Sequence, residues 1–345
     1  MKKIRIGIIS PSEIAYRRFL PALLELEEFE FAGVSVASIN EWEGNLDIKD
    51  LKQILDNERE RANLFTQNNN AKIFDSHESL LASNIDAVYI PLPPALHYKW
   101  AKKTLEKGKH IFLEKPFTTN LDDTKNLIKI AKDKNLALCE NYMFVYHNQI
   151  QKIKQLLDSN AIGHLRKVEI NFEFPKRKAN DFRYNKALGG GALLDCGGYT
   201  LKLANLILGP TSKIVAAKLN YLKDYSVDMY GSATLKNAFG DIAQISFGMD
   251  NYYQCSIRIL GSDGIIYTNR IFSAPFNYDV NILLYRDNTQ KEINVGCDDT
   301  FKKSLLFFYN CIINENINKD SINNILQQAT LVDDFLKKEI SNEGN

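Results

Sequence analysis

The chain has 345 residues, more than one small core holds and about right for two domains. Apolar residues make up 45% and charged residues 25%, the proportions of an ordinary globular protein. A formal net charge of +1 creates no global field toward polyanions, which argues against nucleic-acid and membrane-surface partners.

The run from Ile4 to Ile9 is rich in isoleucine, short, and carries Arg5. It reads as a first strand, not as a signal peptide or a membrane span, and a cytoplasmic protein is expected. Helical apolar spacing through Ile14, Phe19, Leu20, Leu23 and Leu24 predicts a helix over residues 13–28. Residues 31–37 form a second strand. An irregular acidic stretch over 40–50 and a charged helix to about Ala62 follow. Residues 73–74, 87–90, 111–113 and 136–139 supply further strands with helices between them. Such alternation predicts a doubly wound parallel sheet, an α/β domain over residues 1–141.

The pattern changes at residue 142. Apolar runs over 166–174, 213–221, 232–235, 241–247, 255–260, 265–268 and 281–286 follow one another through short turns such as Asn237-Ala238-Phe239-Gly240. This predicts an α+β domain over 142–345 with a large, mainly antiparallel open sheet. Helices are expected over 191–208 and near 322–340. The five cysteines include no C-x-x-C pair and read as free thiols of a reducing compartment. The histidines lack ligand spacing, so no metal site is expected.

In an open α/β sheet, ligands bind beyond the C-terminal ends of the strands. The strand at 87–90 ends in Pro91-Leu92-Pro93-Pro94, followed by Leu96-His97. The strand at 111–113 ends in Glu114-Lys115-Pro116. Lys115 is therefore sited to meet a cofactor or substrate, although a lone lysine is more often merely solvated. The turn after the first strand, Ser10-Pro11-Ser12-Glu13-Ile14-Ala15, stands where a dinucleotide fingerprint belongs, with serines in place of both turn glycines. Helix amides and two hydroxyls suit an anion there, and an ordinary βα turn fits as well. The second strand ends in Val36-Ala37-Ser38-Ile39. It has neither the acid that takes a ribose 2′-hydroxyl nor the arginine that takes a 2′-phosphate, though Glu41 and Glu43 follow. The form of nicotinamide cofactor stays open.

Gly189-Gly190-Gly191 opens a helix on which Asp195 and Tyr199, four apart, share a face. Gly197 and Gly198 within it each cost about 1 kcal/mol relative to Ala, which predicts close approach of a ligand or a neighbouring backbone. A core helix with a satisfied tyrosine and a capping aspartate fits the pattern equally. Lys115 and Tyr199 make a workable acid–base pair. Hydride addition to a carbonyl generates an alkoxide that a phenol can protonate, and an adjacent ammonium lowers the phenol from its ordinary pKa of about 10.

These segments resemble the family of glucose–fructose oxidoreductase and inositol dehydrogenase, through nearly the whole chain. Glu114-Lys115-Pro116 matches its E-K-P, Asp195-x-Gly197-x-Tyr199 its D-x-G-x-H/Y, and Glu140-Asn141-Tyr142-Met143-Phe144 with His147 its crossing into the second domain. Within the family the chain is most similar to NADPH-dependent nucleotide-sugar 3-ketoreductases of deoxysugar pathways. The likeness runs through Ile14-Ala15-x-Arg17-Arg18, Trp100, Arg183-Tyr184, Ser246-Phe247-Gly248-Met249, and Asn269-Arg270-Ile271-Phe272 with Pro275 and Tyr278. Dihydrodiol and xylose dehydrogenases share the Pro-Leu-Pro, Leu-His and Trp pattern.

The resemblance implies an N-terminal Rossmann domain and hydride transfer from NAD(P)H to a ketone of a nucleotide-linked sugar. It makes Tyr199 the proton donor and Lys115 its assistant, with Asp195, Arg183, Tyr184, Phe247 and Met249 facing the substrate. Ser10, Ser12, Glu13, Ile14, Ser38, Pro91, Leu92, Pro93, His97, Glu114 and Lys115 then line the cofactor, NADP with NAD not excluded. Homodimers or homotetramers are implied. Three departures stand out: Ser10 for a glycine, Pro94 for an asparagine, and Ile39 where an arginine commonly reads the 2′-phosphate. About 15–20 residues also follow Ile39 in excess of a typical connection. The other readings are a sugar or dihydrodiol dehydrogenase acting on free substrates, and a nicotinamide-sensing regulator, against which the acid–base pair argues.

Overall fold

A computed structural model describes residues 3–42, 48–67 and 69–343. They form two compact units. One is built from the chain up to Thr118, from Asp122–Asn141 and from Phe301–Ile325. The other is built from Thr119–Leu121, Tyr142–Thr300 and the chain from Leu326 on.

In the first unit, β1 (Ile4–Ile9) leads through a π-helical turn (Ala15–Phe19) into α1 (Leu20–Leu24) and β2 (Phe29–Ser35). Then come α2 (Ile48–Thr66), β3 (Lys72–Phe74), α3 (His77–Leu81), β4 (Ala87–Ile90), α4 (Pro94–Glu106), β5 (His110–Leu113), α5 (Leu121–Asp133) and β6 (Leu138–Glu140). The sheet runs β3-β2-β1-β4-β5-β6 and every pairing is parallel. This is the doubly wound dinucleotide order, whose switch point lies between β1 and β4. All of β4 and the last three residues of β5 are buried, as befits strands covered on both faces. β2 begins two residues earlier than expected because Ile4 pairs with Phe29. The supposed excess after Ile39 includes α2, the crossover helix that parallel pairing of β2 with β3 demands.

In the second unit, α6 (Asn148–Asp158) and β7 (Leu165–Glu173) precede a second π-helical turn (Leu193–Gly197), which continues as α7 (Gly198–Leu208). β8 (Lys213–Tyr221), β9 (Asp228–Lys236), β10 (Ile242–Gly248), β11 (Gln254–Gly261), β12 (Gly264–Asn269), β13 (Asn281–Arg286) and β14 (Thr289–Asn294) complete the sheet. Its order is β14-β13-β12-β11-β7-β10-β9-β8, antiparallel throughout except where β7 meets β10. Val168, Ile170, Ala243, Ile245, Ile257 and Ile259 alternate to one face and form a single core with Leu201, Leu203 and Ala204 of α7. Two helices end the chain, α8 (Thr300–Ile313) and α9 (Glu315–Glu343). Among the described residues no helix is long and apolar enough to cross a membrane, and no group of three potential ligands could hold a metal ion. All five cysteines are free thiols, and all but Cys297 are buried.

Candidate active site

In the turn after β1, Ser10 has a φ of +67°, the left-handed conformation that glycine takes most readily. Its hydroxyl donates to Glu58 Oε1 at 2.5 Å, and Glu58 Oε2 accepts the N–H of Ala37 at 3.1 Å. A buried carboxylate of α2 thus ties the end of β1 to the end of β2. The Ser12 hydroxyl accepts the N–H of Ala15 at 3.2 Å. The Ser10 hydroxyl thus spends its proton within the chain, whereas that of Ser12 accepts there and keeps its own O–H as a donor. Besides that O–H, the turn offers an anion the backbone of Glu13 and Ile14, at the start of a helix where N–H groups lack intrahelical partners. The Glu13 side chain pairs with Arg17 at 2.6 Å in solvent.

Past β2, Ser38 donates its N–H to Glu41 Oε2 at 2.8 Å. The same carboxylate accepts the N–H groups of His77 at 3.0 Å and Glu78 at 2.9 Å, capping α3. Burial raises the Glu41 carboxyl, and the hydrogen bonds from Ser38, Glu78 and His77 outweigh it to hold the group below its ordinary range. Glu41 is thereby occupied, and Glu43 lies outside the described residues. Ile39 is exposed.

Pro91 is buried, Leu92 and Pro93 are half-buried, and α4 opens on Pro94. Proline suits a first helical position, where its missing N–H would have no partner. His97 is fully buried. Its Nδ1 lies 2.8 Å from Pro116 O and its Nε2 lies 2.7 Å from Leu92 O, so it laces the loop after β4 to the loop after β5. It was expected to line the nicotinamide; with both ring nitrogens engaged it positions the two loops instead. Burial pushes His97 down to about 4. Glu114 Oε1 accepts from the Tyr89 hydroxyl and from Asn141 Nδ2, each at 2.7 Å. Burial pushes its carboxyl up against the pull of those bonds. Lys115 follows at once, half-buried, joined to Pro116 by a cis peptide bond.

In the second unit the half-buried Tyr199 ring sits in an aromatic cage. Tyr142 stands edge-on at 5.1 Å, Phe172 at 5.3 Å, Phe272 at 5.5 Å, and Phe144 lies tilted at 5.7 Å. Such contacts fix the orientation of the ring. The two helix glycines are explained by side chains, not by a ligand or a backbone as expected. A Cβ at Gly198 would collide with the Tyr142 hydroxyl, and one at Gly197 would press on the Phe247 ring.

Arg183 and Asp195, both expected to face substrate, meet each other, Nε to Oδ2 at 2.7 Å, and Arg183 also pairs with Asp181 at 3.1 Å. Burial works against the guanidinium's charge, and the carboxylates of Asp195 and Asp181 more than restore it, so its pKa rises. The Tyr184 hydroxyl accepts the N–H of Arg177 at 2.8 Å, and its ring lies 5.2 Å from Tyr225.

Phe247 and Met249 do not face a ligand; they are 1% and 0% exposed. Phe247 follows Ala243 and Ile245 onto the inward face of β10 and packs on Phe335, and Met249 lies in the same core. One residue that holds the candidate site in shape carries no signal in the sequence. Asp228, at the head of β9, accepts the N–H of Leu193 at 2.6 Å and caps the π-helical turn that carries Asp195. Gly191, at φ +124°, has no Cβ to collide with that carboxylate. No spacing rule links positions 35 residues apart, and only the fold reveals the pair.

Each unit thus presents one group suited to carbonyl chemistry: an ammonium beyond β5 in the first, a phenol on α7 in the second. Comparison with known proteins adds the rest. Residues 15–142 match the model of the oxidoreductase family with an NAD-binding Rossmann fold, GFO/IDH/MocA, and residues 150–267 match the model of its C-terminal domain. A dTDP-3,4-didehydro-2,6-dideoxy-α-D-glucose 3-reductase of Actinomadura kijaniata is 33% identical over 331 residues, covering 96% of this chain and 94% of its own. The enzyme of the same description from Saccharopolyspora spinosa is 33% identical over 340 residues, covering 96% of each chain. The crystal structure of a 3-ketoreductase from A. kijaniata in complex with NADP and TDP-benzene superposes with a TM-score of 0.88 at 32% identity over 98% of both chains. The chain belongs to the GFO/IDH/MocA family of oxidoreductases.

Proposed function

We propose that this oxidoreductase reduces a ketone on a nucleotide-linked deoxysugar, with NADPH as hydride source. The reading is carried by the length of the likeness: dTDP-sugar 3-reductases match 96% of the chain at 33% identity. In support, the first unit has a turn and strand ends suited to a dinucleotide. These are the left-handed Ser10 and the start of the helix at Glu13 and Ile14, Ser38 beyond β2, the Pro91-Leu92-Pro93 loop, and Lys115 beyond β5. A reduced nicotinamide held there supplies hydride to the carbonyl carbon. In this reading Tyr199 Oη gives its proton to the developing alkoxide. Lys115 assists by favouring the phenolate that remains, and Arg183 with Asp195 presents an oriented polar pair to the sugar.

Two further parts of the reading are a cytoplasmic location, in keeping with buried free thiols, and a homodimer or homotetramer. The outward face of the eight-stranded sheet, where Tyr230 and Ile242 are exposed, is the proposed self-association surface, and light scattering tests it.

The deciding experiment follows NADPH oxidation by wild type and Tyr199→Phe with a dTDP-linked 3-keto sugar and with free aldoses and ketoses. The expected result is turnover of the nucleotide-linked ketone alone and a loss of about 10²–10⁴-fold in kcat in the variant, the usual worth of a general acid, with NADPH affinity unchanged. Equal turnover by the variant removes Tyr199 from the reaction. Turnover of free sugars alone moves the enzyme to the dehydrogenase reading.

A further inference from the structure

We propose that Arg270 binds the diphosphate of the nucleotide-linked substrate. The inference rests on the substrate class proposed above and adds the group that recognises its charged part.

Four observations carry it. First, Arg270 is half-buried, yet among the described residues it forms no ion pair with a carboxylate. Its Nη1 donates to the Tyr253 hydroxyl at 3.3 Å, and its guanidinium carbon lies 5.0 Å from the Tyr253 ring centre and 5.9 Å from that of Tyr278. Two aromatic faces hold the plane in place while most of its five N–H donors remain available, the arrangement that suits bidentate binding of phosphate. Other cations of the same unit differ: Arg183 pairs with Asp181 and Asp195, and Lys176 pairs with Asp250 at 3.1 Å.

Second, the backbone of Arg270 is left-handed, with φ +56°. A long side chain rarely adopts this conformation, and it persists only where the surroundings over-determine it. They do so here. The N–H of Ile271 donates to Cys255 O at 3.3 Å and that of Phe272 to Cys255 Sγ at 3.4 Å. Gln149 Nε2 donates to Ile271 O at 3.3 Å. Third, Tyr253, which flanks the guanidinium, is tied to the same turn by its contact with the Ser273 hydroxyl at 2.7 Å.

Fourth, the turn is anchored at the proposed proton donor. Phe272 packs on Tyr199 with ring centres 5.5 Å apart, and two residues of chain reach at most about 7 Å. In a 3-keto sugar joined to a nucleotide through carbon 1, the diphosphate and the ketone sit on the same ring, two carbons apart. A cation one short step from Tyr199 is where that diphosphate needs one.

Calorimetric titration of dTDP, thymidine and NADPH into wild type, Arg270→Gln and Arg270→Lys tests the proposal. Wild type is expected to bind dTDP, and Arg270→Gln to bind it about tenfold to a hundredfold more weakly, the worth of charge-assisted hydrogen bonds. Thymidine, which lacks the diphosphate, and NADPH should bind the variant as they bind wild type. Arg270→Lys keeps the charge without the fork and should lose several-fold; it also provides the reading if the glutamine variant fails to fold. Equal dTDP affinity in wild type and both variants overturns the proposal and leaves the substrate class standing. No dTDP binding by wild type overturns both.

Discussion

Gly198 stands directly against the Tyr142 hydroxyl, so closely that no side chain fits between them. Gln328 Nε2 closes the arrangement, donating to Gly198 O at 2.8 Å and to the Tyr142 hydroxyl at 3.3 Å. Tyr142 in turn supplies one wall of the Tyr199 cage. In an ordinary helix, replacing glycine by alanine gains about 1 kcal/mol. Here the sign reverses, because the added methyl must displace a buried ring at a cost of about 1–3 kcal/mol. Gly198→Ala should lower the urea midpoint without changing the slope, and should lower kcat through the neighbouring Tyr199. A variant as stable as wild type removes the steric account.

The hydrogen bond from Leu193 to Asp228 predicts a positioning effect. Loss of a helix cap typically costs about 0.5–2 kcal/mol. A small displacement of catalytic groups costs up to about a hundredfold in rate. Asp228→Ala should therefore lower kcat by about tenfold or more with little change in KM. Asp228→Asn keeps an acceptor oxygen and should fall between. Steady-state kinetics on the three proteins decide. A rise in KM alone, with kcat intact, would show that the cap does not reach Tyr199.

The sequence made some of this plain and hid the rest for physical reasons. Strands such as Ala87–Ile90 are legible because burial on both faces makes them continuous apolar runs. β14, Thr289–Asn294, is an exposed edge strand with almost no apolar residue, so no period announced it. α6 does carry Ile150, Ile153 and Leu156 on one buried side, a helical signal short enough to pass unnoticed between a domain crossing and a strand. Among the site residues, Lys115 and Tyr199 sit in motifs that local chain geometry determines. The occupations of Ser10 by Glu58, of Glu41 by the start of α3, and of Asp195 by Arg183 are tertiary pairings that no local pattern contains. The placement of Phe247 and Met249 turned on which face of β10 looks inward, and a strand's parity is set by its partners.

The end of β2 gives a prediction about the cofactor. The described residues there offer exposed Ile39 and no arginine beside Ser38, while Glu41 and Glu58 have their oxygens occupied by protein donors. Among the described residues, the chain next to Ser38 supplies no arginine for a 2′-phosphate at this place. Ile39→Arg should therefore tighten NADPH binding by about tenfold, the worth of a charge-assisted hydrogen bond, and leave NADH binding nearly unchanged. Fluorescence titration with each nucleotide measures both. Equal gains for the two nucleotides, or none for NADPH, would place the 2′-phosphate elsewhere.

His97 sets a pH dependence of stability. Its ring faces two carbonyl oxygens, and a neutral imidazole can donate to only one of them. Burial nevertheless wins and holds the folded-state pKa at about 4, and it does the same for His77. The unfolded value is near 6.5, so between pH 6.5 and 4 the unfolded chain binds protons that the folded chain refuses. Stability must then fall as the pH drops through that window, by about 1.4 kcal/mol per pH unit for each such histidine, and be fully present above it. Buried Glu114 and Asp228, whose carboxyls are pushed up, act in the opposite direction, so the raw curve mixes both signs. Comparison with variants isolates the histidines. Urea unfolding of wild type, His97→Asn and His77→Asn at several values between pH 7.5 and 4.5 should show a shallower loss of stability in each variant than in wild type. Parallel curves for all three proteins would mean that both rings are charged in the folded state, and that the carbonyls of Leu92 and Pro116 prevail over burial at His97.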